Sequence, residues 1–305
     1  MPSTQYPLRG TPPPPSAPDL ELDAPAKVNL FLEVIAKRPD GYHEIETVMQ
    51  AVDLCDRLSF WSRGDGEVTI SVSGGDAPAD DSNLAVRAAR AVMQGSGTHG
   101  GVHLHIEKRV PSGGGMGGGS SDAAAVLRGL NRLWSLGAST ADLGKLGAAL
   151  GSDVNFFLHG GLALCRGRGE VVEPLPAGPE MGLLLHFPRV HIATAGIYGS
   201  LGRSLTGPRI SSTNLVAKLL RGDLAGAGDE LFNRLEEPVF AAHPGLAVAK
   251  ERLRGSRALG ALLSGSGSTI YSMAAPGDLD ELIRELPSSL RREDLCPVRP
   301  VKGWE

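Results

Sequence analysis

An excess of charge of either sign is missing from this chain. Across 305 residues, 30 Lys and Arg stand against 34 Asp and Glu, a formal net charge of −4. No basic field marks nucleic acid or an anionic membrane as the main partner. Cysteine is scarce: Cys55, Cys165 and Cys296 lie far apart and lack metal-ligand spacing. This argues against a disulfide framework and a zinc site, and a reducing cytoplasm fits. No apolar run reaches the length of a membrane span, and "MPSTQYPLRGTPPPPSAPDL" has no apolar signal core. Aromatics make up only 5%. What the chain has instead is 41 glycines and 22 prolines. Pro12–Pro15 marks residues 1–18 as a disordered, polyproline-like extension outside the fold.

Patterning past that extension is strand-rich at first. Residues 20–38 alternate around a proline and read as strand, break, strand. "RPDGYHEIETVMQ" (38–50) is turn chemistry followed by a strand, and 57–61 and 67–73 read as further strands. Residues 81–94 have helical periodicity behind a cap candidate. In 101–110, Val102, Leu104 and Ile106 share one strand face. His103 and His105 share the other, which reads as a solvated polar face rather than a metal pair, since no third ligand is near in sequence. Helices follow over 120–137 and 139–151, then a turn or short helix and a hairpin over 152–175, and a strand over 181–188. Beyond it the pattern is richer in helices, at 194–203, 212–221, 223–232, 234–242, 244–254 and 278–286. Residues 258–273 read as strand, glycine loop, strand. Elements cluster rather than alternate, which predicts an α+β fold with mixed or antiparallel sheets. The shift near 178 divides it into domains at 19–178 and 179–305.

The stretch "VPSGGGMGGGSSDAAAVL" (110–127) carries the chemistry. Glycine runs are often linkers, but this one joins a strand directly to a helix, and Ser120, Ser121 and Asp122 offer N-cap chemistry. A glycine-rich loop entering a helix presents free N–H groups and the positive end of the helix dipole to an anion. Phosphate binding is the expected result. It is not a Walker A loop, because no Gly-Lys-Ser/Thr follows. Gly113, Gly115 and Gly118 satisfy G-x-G-x-x-G, but a dinucleotide fold would continue from helix to strand, and here a second helix follows.

"PSGGGMGGGSSDAAA" resembles the phosphate loop of the GHMP kinases. The segments 24–50, 113–127 and 150–170 together resemble the branch that phosphorylates a CDP-linked methylerythritol. "NRLEEPV" (233–239) and "LSGSGST" (263–269) echo later motifs. The resemblance implies a small-molecule kinase using ATP and Mg²⁺. It implies that Lys27 and Asp153 are catalytic, with Asp153 as the base. ATP would meet Asn83, Leu84, Lys108, Gly113, Gly114, Gly115, Gly117, Gly118, Gly119, Ser120 and Ser121, the two serines touching phosphate or the metal. The acceptor would meet Asn29, Tyr42, His43, Thr194 and Tyr198, with the base between Tyr42 and Tyr198. Taken singly, Asp153 reads as a helix cap after Gly151, Lys27 as an exposed strand residue, Leu84 as core, and "RPDGYHE" as a turn. A carboxylate beside an ammonium, however, suits removal of a hydroxyl proton. Homoserine or mevalonate acceptors carry no base to stack on "RPDGYHE", and a non-catalytic nucleotide-binding module would not need both Lys27 and Asp153. Met116 stands where Leu is usual, Asn155 where Pro or Ser is common, and Arg234 replaces an acid.

Overall fold

The computed structural model describes residues 8–98, 100–201 and 209–303. Its first sheet contains β1 (Arg9–Gly10), β2 (Leu20–Lys37), β3 (His43–Arg63), β4 (Val68–Ser73), β5 (Gly101–Glu107), β6 (Leu162–Gly167), β7 (Val171–Pro174) and β9 (Phe232–Asn233). The order is β1-β4-β5-β3-β2-β9, with β6 pairing β3 and β7. Parallel pairs β4–β5 and β2–β9 sit among antiparallel ones. The second sheet orders β10 (Gly260–Leu263), β11 (Ile270–Ala274), β8 (Gly182–His186) and β12 (Leu295–Val298), all antiparallel. The α+β expectation with mixed and antiparallel sheets is met.

Helices α1 (Leu84–Ser96), α2 (Gly118–Leu133), α3 (Thr140–Leu150) and α4 (Val154–His159) belong to the first sheet. Val102, Leu104 and Ile106 join Ala88, Ala89 and Ala123–Ala125 in one buried cluster. Small residues let the helices approach closely: a Cβ on Gly129 would lie 2.6 Å from the Phe60 ring. The second sheet carries α5 (Thr194–Ser200), α6 (Thr213–Leu220), α7 (Leu224–Asp229), α8 (Glu236–Ala242), α9 (Pro244–Leu253) and α10 (Leu279–Glu285). A further cluster joins the layers, with Val28, Leu30 and Phe31 of β2 packed among Leu183, Leu185, Tyr271 and Met273. Each such fully buried large side chain contributes about 1.5–3 kcal/mol.

Several expectations change. The proline does not break residues 20–38: β2 is continuous, and Pro25 sits at a register shift against β3, where a missing N–H is tolerated. Residues 57–61 are the far half of β3, not a separate strand. The extension is not wholly outside the fold. β1 pairs with β4, Thr11 N–H donates to Ile70 O (2.9 Å), and Trp61 Nε1 donates to Ser16 O (2.8 Å); residues 1–7 lie outside the described part. His103 is not solvated. It is fully buried against the Trp61 ring and bonded to Thr69 and Ser71 hydroxyls. The end predicted for the helix at 194–203 falls partly outside the described residues; α5 closes at Ser200.

Candidate active site

The phosphate loop is held open by glycine. Gly113, Gly115 and Gly117 all have φ near +70°, a region other residues enter at a cost. Gly117 caps α2 in left-handed geometry with no side-chain cap bond. The capping expected of Ser120, Ser121 and Asp122 is therefore absent, because all three lie inside the helix, past its cap position. That leaves the N-terminal N–H groups of α2 uncapped by any side chain. The cleft above them has a volume of about 470 Å³ and is lined by Gly113–Gly119, Ser120, Asn83, Leu84, Lys108 and Asp122.

The candidate ATP residues divide by what their side chains already do. Leu84 is half-buried in the cleft wall. Asn83 lines it too, but its amide caps α1 at Ala85 N–H (2.9 Å) and donates to Pro78 O. Ser121 is fully buried and lies behind the lining. Lys108 also lines the cleft, and its ammonium already has two partners. It binds Asp122 Oδ2 at 2.8 Å and Asp56 Oδ2 more closely still, all three groups being buried. Asp56 also accepts the N–H groups of Arg109 (2.6 Å) and Val110 (2.8 Å). Burial opposes the Lys108 charge, but Asp122 and Asp56 outweigh it and hold its pKa above the ordinary value. Burial, against the pull of Lys108 and with the push of Asp56, drives Asp122 up to about 7. One ammonium between two buried carboxylates leaves one negative charge too many.

Lys27 and Asp153, 126 positions apart in sequence, meet at 3.8 Å. Lys27 is buried, not exposed as its strand alone would suggest. Its ammonium donates to Asn29 Oδ1 (2.5 Å), Asn29 Nδ2 to Thr47 Oγ1 (2.8 Å), and Thr47 to Phe31 O (2.6 Å). Burial lowers the Lys27 pKa, and Asp153 partly restores it. Asp153 stands at the N-cap position of α4, yet its side chain makes no capping bond. The carboxylate is half-buried and near the phosphate loop: a Cβ on Gly117 would lie 3.5 Å from its Oδ2. The second glycine loop closes the site from the other sheet. Ser264 Oγ donates to Gly115 O (3.1 Å), and Thr269 N–H donates to Gly114 O (3.2 Å). A Cβ on Gly265 would come within 3.4 Å of Lys27 Nζ.

The acceptor candidates are only partly gathered. His43 and Tyr198 come together, ring centroids 5.2 Å apart. Tyr42 is 52% exposed, and the Arg168 guanidinium lies 4.7 Å from its ring centroid. Tyr198 therefore faces His43 rather than Tyr42. Burial lowers the pKa of His43, with Lys37 adding to the effect. Thr194 is hydrogen-bonded to the Ser266 hydroxyl at 2.8 Å. Sequence reasoning did not find Asp56, Thr47 or Asn233. Asn233 donates to Leu263 O (2.8 Å) and Gly265 O (2.7 Å) and shapes the second loop. Arg234, the departure in "NRLE", makes a bidentate pair with Glu33 at 2.8 and 2.7 Å.

A glycine loop opening a helix, with a buried lysine paired to an aspartate beside it and a second sheet closing over it, is the arrangement of a small-molecule kinase. The GHMP kinases N terminal domain matches residues 83–161, and the GHMP kinases C terminal domain matches 215–292. A 4-diphosphocytidyl-2-C-methyl-D-erythritol kinase from Shouchella clausii (strain KSM-K16) is 44% identical over 253 residues, 83% of this chain and 84% of that protein. Its counterpart from Pelotomaculum thermopropionicum (strain DSM 13744 / JCM 10971 / SI) is 41% identical over 271 residues, 89% of this chain and 93% of that one. A crystal structure of a 4-(cytidine 5'-diphospho)-2C-methyl-D-erythritol kinase superposes with a TM-score of 0.76 at 33% identity, covering 93% of this chain and 100% of that one. The chain belongs to the GHMP kinases and, within them, to the 4-diphosphocytidyl-2-C-methyl-D-erythritol kinase family.

Proposed function

We propose that this chain transfers the γ-phosphoryl group of ATP to the 2-hydroxyl of 4-diphosphocytidyl-2-C-methyl-D-erythritol, a step toward isoprenoid precursors outside the mevalonate route. The observation that carries the mechanism is the Lys27–Asp153 pair at 3.8 Å beside the phosphate loop. Asp153 takes the proton of the acceptor hydroxyl as its oxygen attacks phosphorus. Lys27, fixed by Asn29 and Thr47, stands beside that carboxylate and steadies the negative charge that grows on the transferred group. The N–H groups at the start of α2 and along Gly113–Gly119 hold the phosphates, with Leu84 against the nucleoside. His43 and Tyr198 form the edge and face that read cytosine, and Tyr42 adds a second ring at the mouth.

Mg²⁺ fits this cleft through the nucleotide. Ser120 places a half-buried hydroxyl in the wall, an oxygen donor of the kind the ion prefers, and no cluster of acidic or histidine residues competes for it among the described residues. When bound, the ion would offset the charge of the phosphates. The domains divide near residue 178, between β7 and β8, with β9 returning from the second half of the chain to the edge of the first sheet. Three free thiols suit a reducing cytoplasm, and no described helix is long and apolar enough to cross a membrane.

ADP release from Mg-ATP, measured with the CDP-linked methylerythritol, free methylerythritol phosphate, homoserine and mevalonate, tests this reading. Turnover with the first alone is the expected result. Turnover with another acceptor would keep the kinase and discard the substrate. ATP binding with no turnover on any of the four would point to a nucleotide-binding module.

A further inference from the structure

His191 belongs to no motif, yet its place is informative. It lies on the segment joining β8 to α5, and that segment runs along both glycine loops. Ile192 packs at Gly267, where a Cβ would lie 3.2 Å from its Cδ1. Thr194 bonds Ser266, and Tyr198 reaches His43. At the other end, the His191 imidazole stands over Gly113, the first glycine of the phosphate loop. A Cβ there would sit 3.2 Å from His191 Nδ1 and 3.5 Å from Cε1. His191 is exposed, and among the described residues no hydrogen-bond or ion-pair partner engages its ring. An imidazole carries at least one ring N–H in either tautomer. The first sheet contributes the loop and the helix end to the phosphate site, so a donor above Gly113 would come from the second sheet.

We infer that His191 is a further nucleotide-binding residue, donating a hydrogen bond from the second sheet to a phosphate oxygen held by the loop. The inference rests on reading residues 113–119 as the nucleotide phosphate site. It also gives Gly113 a second reason to be glycine besides its positive φ: a side chain there would push the imidazole aside.

The test is nucleotide binding by the full chain, so it is separable from the identity of the acceptor. Kd values for Mg-ADP, Mg-ATP and adenosine are measured for the parent chain and for His191→Leu, His191→Gln and His191→Asn, with thermal melts to confirm folding. A hydrogen bond to a charged phosphate is worth about a tenfold change in Kd. His191→Leu should weaken ADP and ATP by about that factor and leave adenosine unchanged, and one of the amide variants should recover most of the loss. The inference is overturned if His191→Leu binds the phosphorylated nucleotides normally. It is also overturned if adenosine weakens equally, or if a folded Gln and a folded Asn variant are both as weak as Leu, since packing on the loop would then explain the effect. Failure of the parent chain to bind ADP or ATP at all would sink the phosphate-loop reading itself, and this inference with it.

Discussion

Two buried lysines stand close to the phosphate loop and are placed for opposite purposes. Lys27 is 4% exposed and Lys108 is 5% exposed, so burial does not tell them apart. Their partners do. Lys27 has one carboxylate at 3.8 Å and a neutral amide as its nearest neighbour. Its pKa is lowered by burial, and the Asp153 carboxylate lies beside the phosphate loop at Gly117. Lys108 has two carboxylates at contact distance and a raised pKa. A lysine left short of compensation can respond to charge that appears during a reaction. A lysine saturated by carboxylates cannot, and instead ties β3, the end of β5 and the start of α2 into one piece. The residue type and the burial are the same, and the number of counter-charges separates the lysine we propose to act in the reaction from the one that braces.

The largest expected effect breaks the Lys27 side. Asp153→Asn should lower kcat by about a thousandfold, within the range for loss of a general base, with ATP affinity and melting temperature nearly unchanged. Lys27→Met should also abolish most turnover. Steady-state kinetics beside ATP titrations check both, and surviving turnover in Asp153→Asn would remove the base assignment. The next effect falls on the other lysine and should appear as stability. Lys108→Met strands two buried carboxylates, and breaking a buried pair costs about 3–5 kcal/mol. That is a large share of the ~5–15 kcal/mol available to a typical domain. Denaturant unfolding should show the loss. If Lys108→Met folded normally and lost only turnover, the contrast between the two lysines would be wrong.

The contrast also shows what the sequence could reveal. Lys27, Asp153 and the glycine loop could be singled out as candidates because they sit in segments whose local pattern is unusual and whose order matches a family. Asp56 was not, since "DLCDRLSF" gives no sign that its second acid is fully buried. Its partners arrive from residues 108–110 and 122, and only the fold brings them together. The same holds for Lys108, which lines the cleft while the two carboxylates that hold its ammonium come from distant parts of the chain. Local chemistry misled at Ser120–Asp122 because a glycine in left-handed geometry can end a loop as well as a capping side chain can. His103 misled because its strand face is covered by Trp61 and by a segment tied down at Ser16, far away in sequence. The longer periodic elements were found, but not the four-residue β12 or the two-residue β1 and β9, whose pairings have no local signature.

pH sharpens the same contrast. Lys27 has a folded pKa below its ordinary 10.5. Turnover should fall as pH rises through that lowered value, while its contribution to stability increases over the same window, because the unfolded chain then holds the extra proton. Lys108 has the opposite sign: its stabilising contribution is complete below 10.5 and is lost only above it. Asp122 has a folded pKa of about 7 against an ordinary 3.8. The folded protein holds the extra proton between these values, so stability should decline as pH rises from about 4 to about 7. Asp122→Asn should flatten that decline and match or exceed the parent above pH 7. Melting temperature against pH for the two chains checks it, and an equal slope in the variant would show that Asp122 is ionised throughout.

The smallest effect lies where the acceptor candidates are least gathered. Tyr198 meets His43 at 5.2 Å, and an aromatic contact contributes about 0.5–1.5 kcal/mol beyond its buried area. Tyr198→Phe keeps the ring and should leave KM for the CDP-linked acceptor within about twofold. Tyr198→Leu removes the ring and should raise that KM by about three- to tenfold, with kcat and KM for ATP little changed. The pattern separates a base-reading ring from one that only packs, because loss of packing under α5 would disturb Thr194 and the Ser266 loop behind it, and would therefore reach kcat. Equal losses in kcat and KM would place Tyr198 with the supports of the second glycine loop and leave His43 and Tyr42 to hold the base.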